Sequence, residues 1–207
     1  MLEFLNYCRY LVIPLGYFIG SISGAYIICR LIGKFDIRSE RDGRISAAEV
    51  YRKLGTRPFL YVVGIDVVKG LVSVTIAKLI TQNMSCSLII VLLTGFLTVI
   101  GHNWSIFLQF KGGLGATVMY GVLGGILFFQ TLIALIPGML FVLITKKSGL
   151  STAVIIVSLS IILLIQRILE WQLPPYETPI YLVLYPIILI TVMLIKRYQV
   201  KRKTQTK

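Results

Sequence analysis

Apolar stretches separated by short polar breaks run the length of the chain, at residues 11–32, 59–80, 87–100, 116–129, 132–145, 151–165 and 180–195. Runs of this kind predict membrane-spanning helices, although several fall short of the roughly 20 residues that a spanning helix normally takes. Composition agrees. With 207 residues, 57% of them hydrophobic, and a mean hydropathy of +0.86, the chain has too little polar surface to cover a soluble globule. The first run lacks a clear charged n-region and a small-residue cleavage site and leads straight into the rest of the chain, so no cleavable signal peptide is expected.

Residues 116–145 decide the parity. The stretch is too long for one comfortable span and short for two, and Pro137-Gly138 lies near its middle. Charge arbitrates. Of the 21 Lys and Arg, eight fall between Arg30 and Arg57 and six between Lys196 and Lys207, so the positive-inside rule places both segments in the cytoplasm. That requires an odd number of spans and an external N-terminus. Two short crossings within 116–145 satisfy it and put Lys146-Lys147 inside, whereas six spans would export the basic tail. The expected fold is all-α: one polytopic membrane domain over 1–207, with about seven short helices, N-out and C-in. Segments 33–58, 101–115 and 196–207 then share the cytoplasmic side. The opposite side receives 82–86 and 166–178, which carry little charge and whose Trp171, Tyr176 and prolines suit an interfacial belt.

The net charge of +13 does not point to nucleic acid, because the basic residues flank apolar spans and are not interleaved with exposed aromatics; anionic lipid headgroups are the expected partner. Cys8, Cys29 and Cys86 show no metal spacing and read as ordinary thiols, and no metal site is expected.

The densest chemistry lies in Gly101–Gly115, where Lys111, Gly112 and Gly113 sit between two apolar runs. Glycines let a backbone approach an anion, successive N–H groups converge on it, and a lysine adds a compact charge, so the turn reads as a phosphate site at a membrane surface. The plainer reading is a helix C-cap beside a snorkelling lysine. Lys69 divides the same way between phosphate ligand and snorkelling stem, and for Lys78 the stem is favoured. Asp66, costly in a span unless paired, reads as an ion pair with Lys69 or as part of a substrate site. His102 and Asn103 read as a helix-end pair that shapes the turn. Gly16, Gly20, Ser23 and Gly24 at helical spacing read as a close-packing face.

Several groups of residues together carry a family resemblance. They are Gly20-Ser21-Ile22-Ser23, Asp36-Ile37-Arg38, Val50-Tyr51-Arg52-Lys53-Leu54-Gly55, Asp66-Val67-Val68-Lys69-Gly70, and Gly101-His102-Asn103 with Phe110-Lys111-Gly112-Gly113. The chain resembles the bacterial acyl-phosphate:glycerol-3-phosphate acyltransferases over nearly its whole length. The resemblance implies an enzyme of phospholipid synthesis in the bacterial plasma membrane. It would move a fatty acyl group from acyl phosphate to glycerol 3-phosphate, giving lysophosphatidic acid and phosphate, without coenzyme A, metal or other cofactor. Such a protein mainly positions two anions and stabilises a developing oxyanion.

The match breaks in two family motifs. A Gly-Ser-Gly-Asn-x-Gly-Ala-Thr-Asn loop aligns with residues 41–49, where only Gly43 and Ala47 survive; Asp42 replaces serine, Arg44 and Glu49 replace asparagines, Ser46 a glycine and Ala48 a threonine. A C-terminal His-Arg-Glu-Asn arm aligns with Lys196-Arg197-Tyr198-Gln199, where Arg197 fits but Lys196 and Tyr198 stand for histidine and glutamate. Leu114 replaces a lysine after Gly-Gly. The family's catalytic positions are thus occupied by Asp42, Arg44, Lys196 and Tyr198, and the catalytic residues of this chain stay unassigned. Lys111, Gly112, Gly113, Lys69 and Arg197 are the expected phosphate ligands, with His102, Asn103 and Asp66 in support. Three readings follow: an acyltransferase with an altered lining, a paralogue that binds lipid or phosphate in a regulatory role, and an enzyme for an acceptor whose cationic group meets Asp42 and Glu49.

Overall fold

The computed structural model describes residues 8–39, 45–146, 148–171 and 178–205, and the described residues contain helices and turns without strands. The first span is broken. Helix α1 (Val12–Ser21) stops where Ile22 and Ser23 become extended, and α2 (Gly24–Ile28) restarts with Ser23 Oγ accepting from the Tyr26 amide at 3.3 Å. A wide π-turn (Cys29–Gly33) follows and ends at left-handed Lys34. After a 3-10 turn (Ile37–Ser39) come α3 (Ala47–Leu54) and α4 (Thr56–Thr81), then α5 (Ser87–Asn103), α6 (Ala116–Ile126), α7 (Phe128–Thr145), α8 (Ser148–Ile168) and α9 (Ile180–Gln205).

Six helical stretches among the described residues are long and apolar enough to cross a membrane, and α6 is a shorter apolar helix of 11 residues. Seven short spans were expected; the structure has six long ones and one of roughly 16 Å, about half the hydrocarbon thickness. The 116–145 stretch divides into α6 and α7 at Leu127, just after Gly124-Gly125 weaken the helix, while Pro137 is accommodated inside α7. Lys78, expected as a snorkelling stem, donates from Nζ to the Gly125 carbonyl at 2.7 Å and satisfies one of the groups freed at that break.

Helices approach closely where they lack side chains. On α1, a Cβ at Gly20 would strike the backbone of Thr98, and on α5 a Cβ at Gly101 would strike the Tyr17 carbonyl, which confirms the small-residue face. Gly70 of α4 and Gly121 of α6 meet the opposing Val118 and Val67 carbonyls in the same manner. Val74, Val91, Val99, Val118, Met119 and Val122 centre the main core. A second cluster joins Ile28, Cys29, Ile37, Ile45, Val50 and Val62 to Leu108, so the basic segment after the first span is tied to the turn after α5. Ser46 begins α3 by accepting from the Glu49 amide at 3.3 Å, and the Glu49 carboxylate pairs with Arg52.

Candidate active site

Extended backbone inside a membrane protein needs partners for its freed polar groups. At the break in the first span those partners come from α4 and the end of α5. Ser105 Oγ donates to the Ser21 carbonyl at 2.6 Å, Lys69 Nζ donates to the Ile22 carbonyl at 2.6 Å, and Tyr17 donates its hydroxyl to the Trp104 carbonyl at 2.8 Å. The interruption in α1 therefore fixes the place where α4 and α5 converge.

Lys69 is the centre of that junction. Besides the Ile22 carbonyl, its Nζ lies 2.8 Å from Asp66 Oδ1 and 2.9 Å from His102 Nδ1. Nζ thus has hydrogen-bond partners in the Ile22 carbonyl and His102 Nδ1 and an ion-pair partner in Asp66. Asp66 also accepts from Thr117 Oγ1 at 3.0 Å, which joins the start of α6 to the cluster. Asp66, Lys69 and His102 are 3%, 7% and 9% exposed, so this is a buried, internally partnered group of charges. Lys69 was expected to bind phosphate; its Nζ lies here against the Ile22 carbonyl, Asp66 and His102 inside the protein. The ion pair between Asp66 and Lys69 is present.

The turn after α5 packs onto His102 and Asn103. Following the 3-10 turn at Ile106–Leu108, Gln109 and Phe110 adopt left-handed backbone, and the Phe110 and Lys111 amides bond the Ser105 and Leu108 carbonyls. The Gly113 amide bonds the His102 carbonyl at 3.1 Å, so it does not join a ring of amides around an anion. The amides of Gly112, Leu114 and Gly115 make no hydrogen bond to the described residues. A Cβ at Gly112 would overlap the His102 and Asn103 carbonyls, and one at Gly113 would overlap His102 Nε2. Glycine is required at both by the depth at which the turn sits. Gly115, with φ of +83°, starts α6 over the Asn103 carboxamide. Asn103 is fully buried, and neither its Nδ2 nor its Oδ1 has a hydrogen-bond partner among the described residues. Burying such a group unpartnered costs about 1–3 kcal/mol. Lys111 projects outward and is exposed.

Lys196 reaches this turn from α9. It is buried, its Nζ lies 5.0 Å from the Trp104 ring centroid and 3.5 Å from the Phe110 carbonyl, and it thus clamps α9 to the turn. Arg197 and Tyr198, one and two residues on, are exposed on other faces of the helix and are not brought to the junction by these contacts. Asp42 and Arg44 lie outside the described residues. Glu49 is a first-turn residue of α3 paired with Arg52, which leaves it poorly placed to meet a cationic acceptor. Ser105, Thr117, Trp104 and the Ile22 carbonyl escaped the sequence reading; hydroxyls next to a glycine-rich turn were the available signal for the first two, while a backbone carbonyl gives none.

A family model described as glycerol-3-phosphate acyltransferase matches residues 10–205 of this chain. The glycerol-3-phosphate acyltransferase of Shouchella clausii (strain KSM-K16) is 33% identical over 184 residues, which is 89% of this chain and 85% of that protein. The one from Thermoanaerobacter pseudethanolicus (strain ATCC 33223 / 39E) is 35% identical over 138 residues, 67% of each. Among solved structures, PlsY (YgiH), an integral membrane glycerol 3-phosphate acyltransferase, is similar in fold. Its glycerol 3-phosphate form gives a TM-score of 0.77 at 21% identity, with 96% of this chain and 92% of that one covered. Its lysophosphatidic acid form gives 0.76 over the same extent.

Proposed function

The chain belongs to the glycerol-3-phosphate acyltransferase family, and from that premise we propose that it acylates glycerol 3-phosphate from acyl phosphate in the bacterial plasma membrane. A hydroxyl oxygen of glycerol 3-phosphate attacks the acyl carbonyl carbon. The new C–O ester bond forms, the anhydride C–O bond breaks, and phosphate leaves with the electron pair while the hydroxyl proton passes to phosphate or solvent. The products are lysophosphatidic acid and phosphate.

The observation that carries this reading is the turn itself. Gly112 and Gly113 bring backbone down on His102 and Asn103, a buried carboxamide lies unpartnered beneath Gly115, and exposed Lys111 flanks it. The amides of Gly112, Leu114 and Gly115, without hydrogen bonds to the described residues, lie in this turn next to the N-terminus of α6, which suits an anionic group. Lys111 and the Gly112 amide are then the phosphate ligands, Gly113 lets the turn sit against His102, Asn103 orients the bound group, and Lys196 holds the turn. Arg197 is an exposed cation near the membrane boundary that assists the approach of anions. With Asp42, Arg44, Lys196 and Tyr198 at the altered positions, the reaction relies on placement and electrostatic stabilisation more than on proton transfer by side chains. The charge of segments 33–58 and 196–207 supports a cytoplasmic location for this end with the N-terminus outside, an orientation that needs the short helix α6 to count as a crossing beside the six long ones.

Purified protein in detergent, given acyl phosphate with and without glycerol 3-phosphate, should release phosphate only with the acceptor present and form lysophosphatidic acid in equal amount. Binding of glycerol 3-phosphate with no product would instead identify a regulatory, ligand-binding paralogue.

A further inference from the structure

The hydrogen bonds at the junction assign a protonation pattern to the histidine that the family reaction does not require. The Lys69 ammonium has only N–H groups to offer; it donates to the Ile22 carbonyl, forms an ion pair with Asp66 Oδ1 and lies 2.9 Å from His102 Nδ1. Nδ1 is therefore an acceptor, its lone pair turned to the ammonium. A neutral imidazole carries one ring proton, which must then lie on Nε2. An imidazolium would point an Nδ1–H at the ammonium 2.9 Å away. The opposite edge of the ring faces the glycine turn, since a Cβ at Gly113 would overlap Nε2, and no described residue accepts a hydrogen bond from Nε2.

We propose that His102 is a ligand-binding N–H donor, locked as the Nε2–H tautomer by Lys69 and Asp66, that donates to a phosphate oxygen of the substrate at the 110–115 turn. This rests on the reading of that turn as the substrate site. Lys69 and Asp66 are positioning residues: they act through the imidazole and do not touch the substrate. The same arrangement excludes His102 as a general base, which would need a free lone pair on Nε2 and hence a proton on Nδ1. Because His102 is the one histidine in the chain, no other imidazole supplies that base.

A single histidine also makes the test clean. The full chain, labelled with 15N-histidine and purified through a tag without histidine, should show in long-range 1H–15N spectra near neutral pH a protonated Nε2 and a bare Nδ1. Glycerol 3-phosphate, but not glycerol, should shift the Nε2–H signal. Lys69→Met should replace the single tautomer by a mixture. If that variant does not fold, the natural protein alone still decides the matter. His102→Gln, which keeps an N–H at about the reach of Nε2, should retain glycerol 3-phosphate binding better than His102→Asn, for which a loss of roughly tenfold to a hundredfold is expected. A proton on Nδ1, an imidazolium, or no response to glycerol 3-phosphate overturns the proposal. Phosphate release measured on the same preparation separates the two claims. Absent turnover with the spectral response intact removes the acyltransferase and leaves the donor; normal turnover with an Nδ1–H ring does the reverse.

Discussion

Two sets of charges in this protein differ in what surrounds them. Asp66, Lys69 and His102 are buried where three helices meet and bond almost entirely to one another and to a broken helix. Lys111, only one turn of chain beyond, is exposed beside amides without partners. A buried, partnered charge ties helices together, whereas an exposed one keeps donors to offer. The lysines in Asp66-Val67-Val68-Lys69-Gly70 and Phe110-Lys111-Gly112-Gly113 look alike as sequence and sit in opposite surroundings.

Breaking the buried set should give the largest effect. Lys69→Met leaves Asp66 buried without its cation, and a loss of about 3–5 kcal/mol is expected, read as a lower midpoint of thermal unfolding in detergent. Lys69→Met combined with Asp66→Leu should lose less than the two single changes added together; strict additivity would mean that the pair does not act as a unit. On the exposed side, Gly112→Leu should abolish glycerol 3-phosphate binding while the helices remain, because the side chain would enter the His102 and Asn103 carbonyls.

Lys196→His with Tyr198→Glu sharpens the comparison at the third cation, which is buried against the glycine turn. Restoring an acid–base pair should raise kcat, toward the lower end of the roughly 10²–10⁴-fold that such groups contribute, with KM little changed. A change confined to KM would make Lys196 a ligand for phosphate.

The smallest effect belongs to Asp36, at the loop end of the first span. Arg38 bonds its carboxylate through the side chain and the backbone amide, and with Arg30 close by this holds Asp36 down to about 2 from an ordinary 3.8. A lowered carboxylate stabilises the fold fully above its ordinary range and ceases to do so as pH falls through its folded value. The natural protein and Asp36→Asn should thus differ by a small constant amount from about pH 8 to about pH 4, and the difference should vanish on approaching pH 2. A difference that grows with acidity would contradict this.

Apolar run lengths located the helices well, and the Gly16/Gly20 spacing marked a close-packing face, whose partner α5 only the structure shows. The break at Leu127 was less legible: Pro137 is the more conspicuous helix breaker, yet neighbouring groups tolerate it while two glycines lose the helix. Lys111 and its glycines were visible as a motif. The partners of Lys69 were not, since the Ile22 carbonyl and His102 Nδ1 lie 47 and 33 residues away in sequence. Lys196 beneath Trp104 was hidden for the same reason.

The account is tested most directly by titrating glycerol 3-phosphate in a phosphate-release assay, with natural protein and Lys111→Ala side by side. The natural protein should turn over, and Lys111→Ala, folded to the same unfolding midpoint, should show a KM for glycerol 3-phosphate or acyl phosphate raised roughly tenfold to a hundredfold. Unchanged kinetics for both substrates in the folded variant would contradict it and reduce the turn to a helix cap.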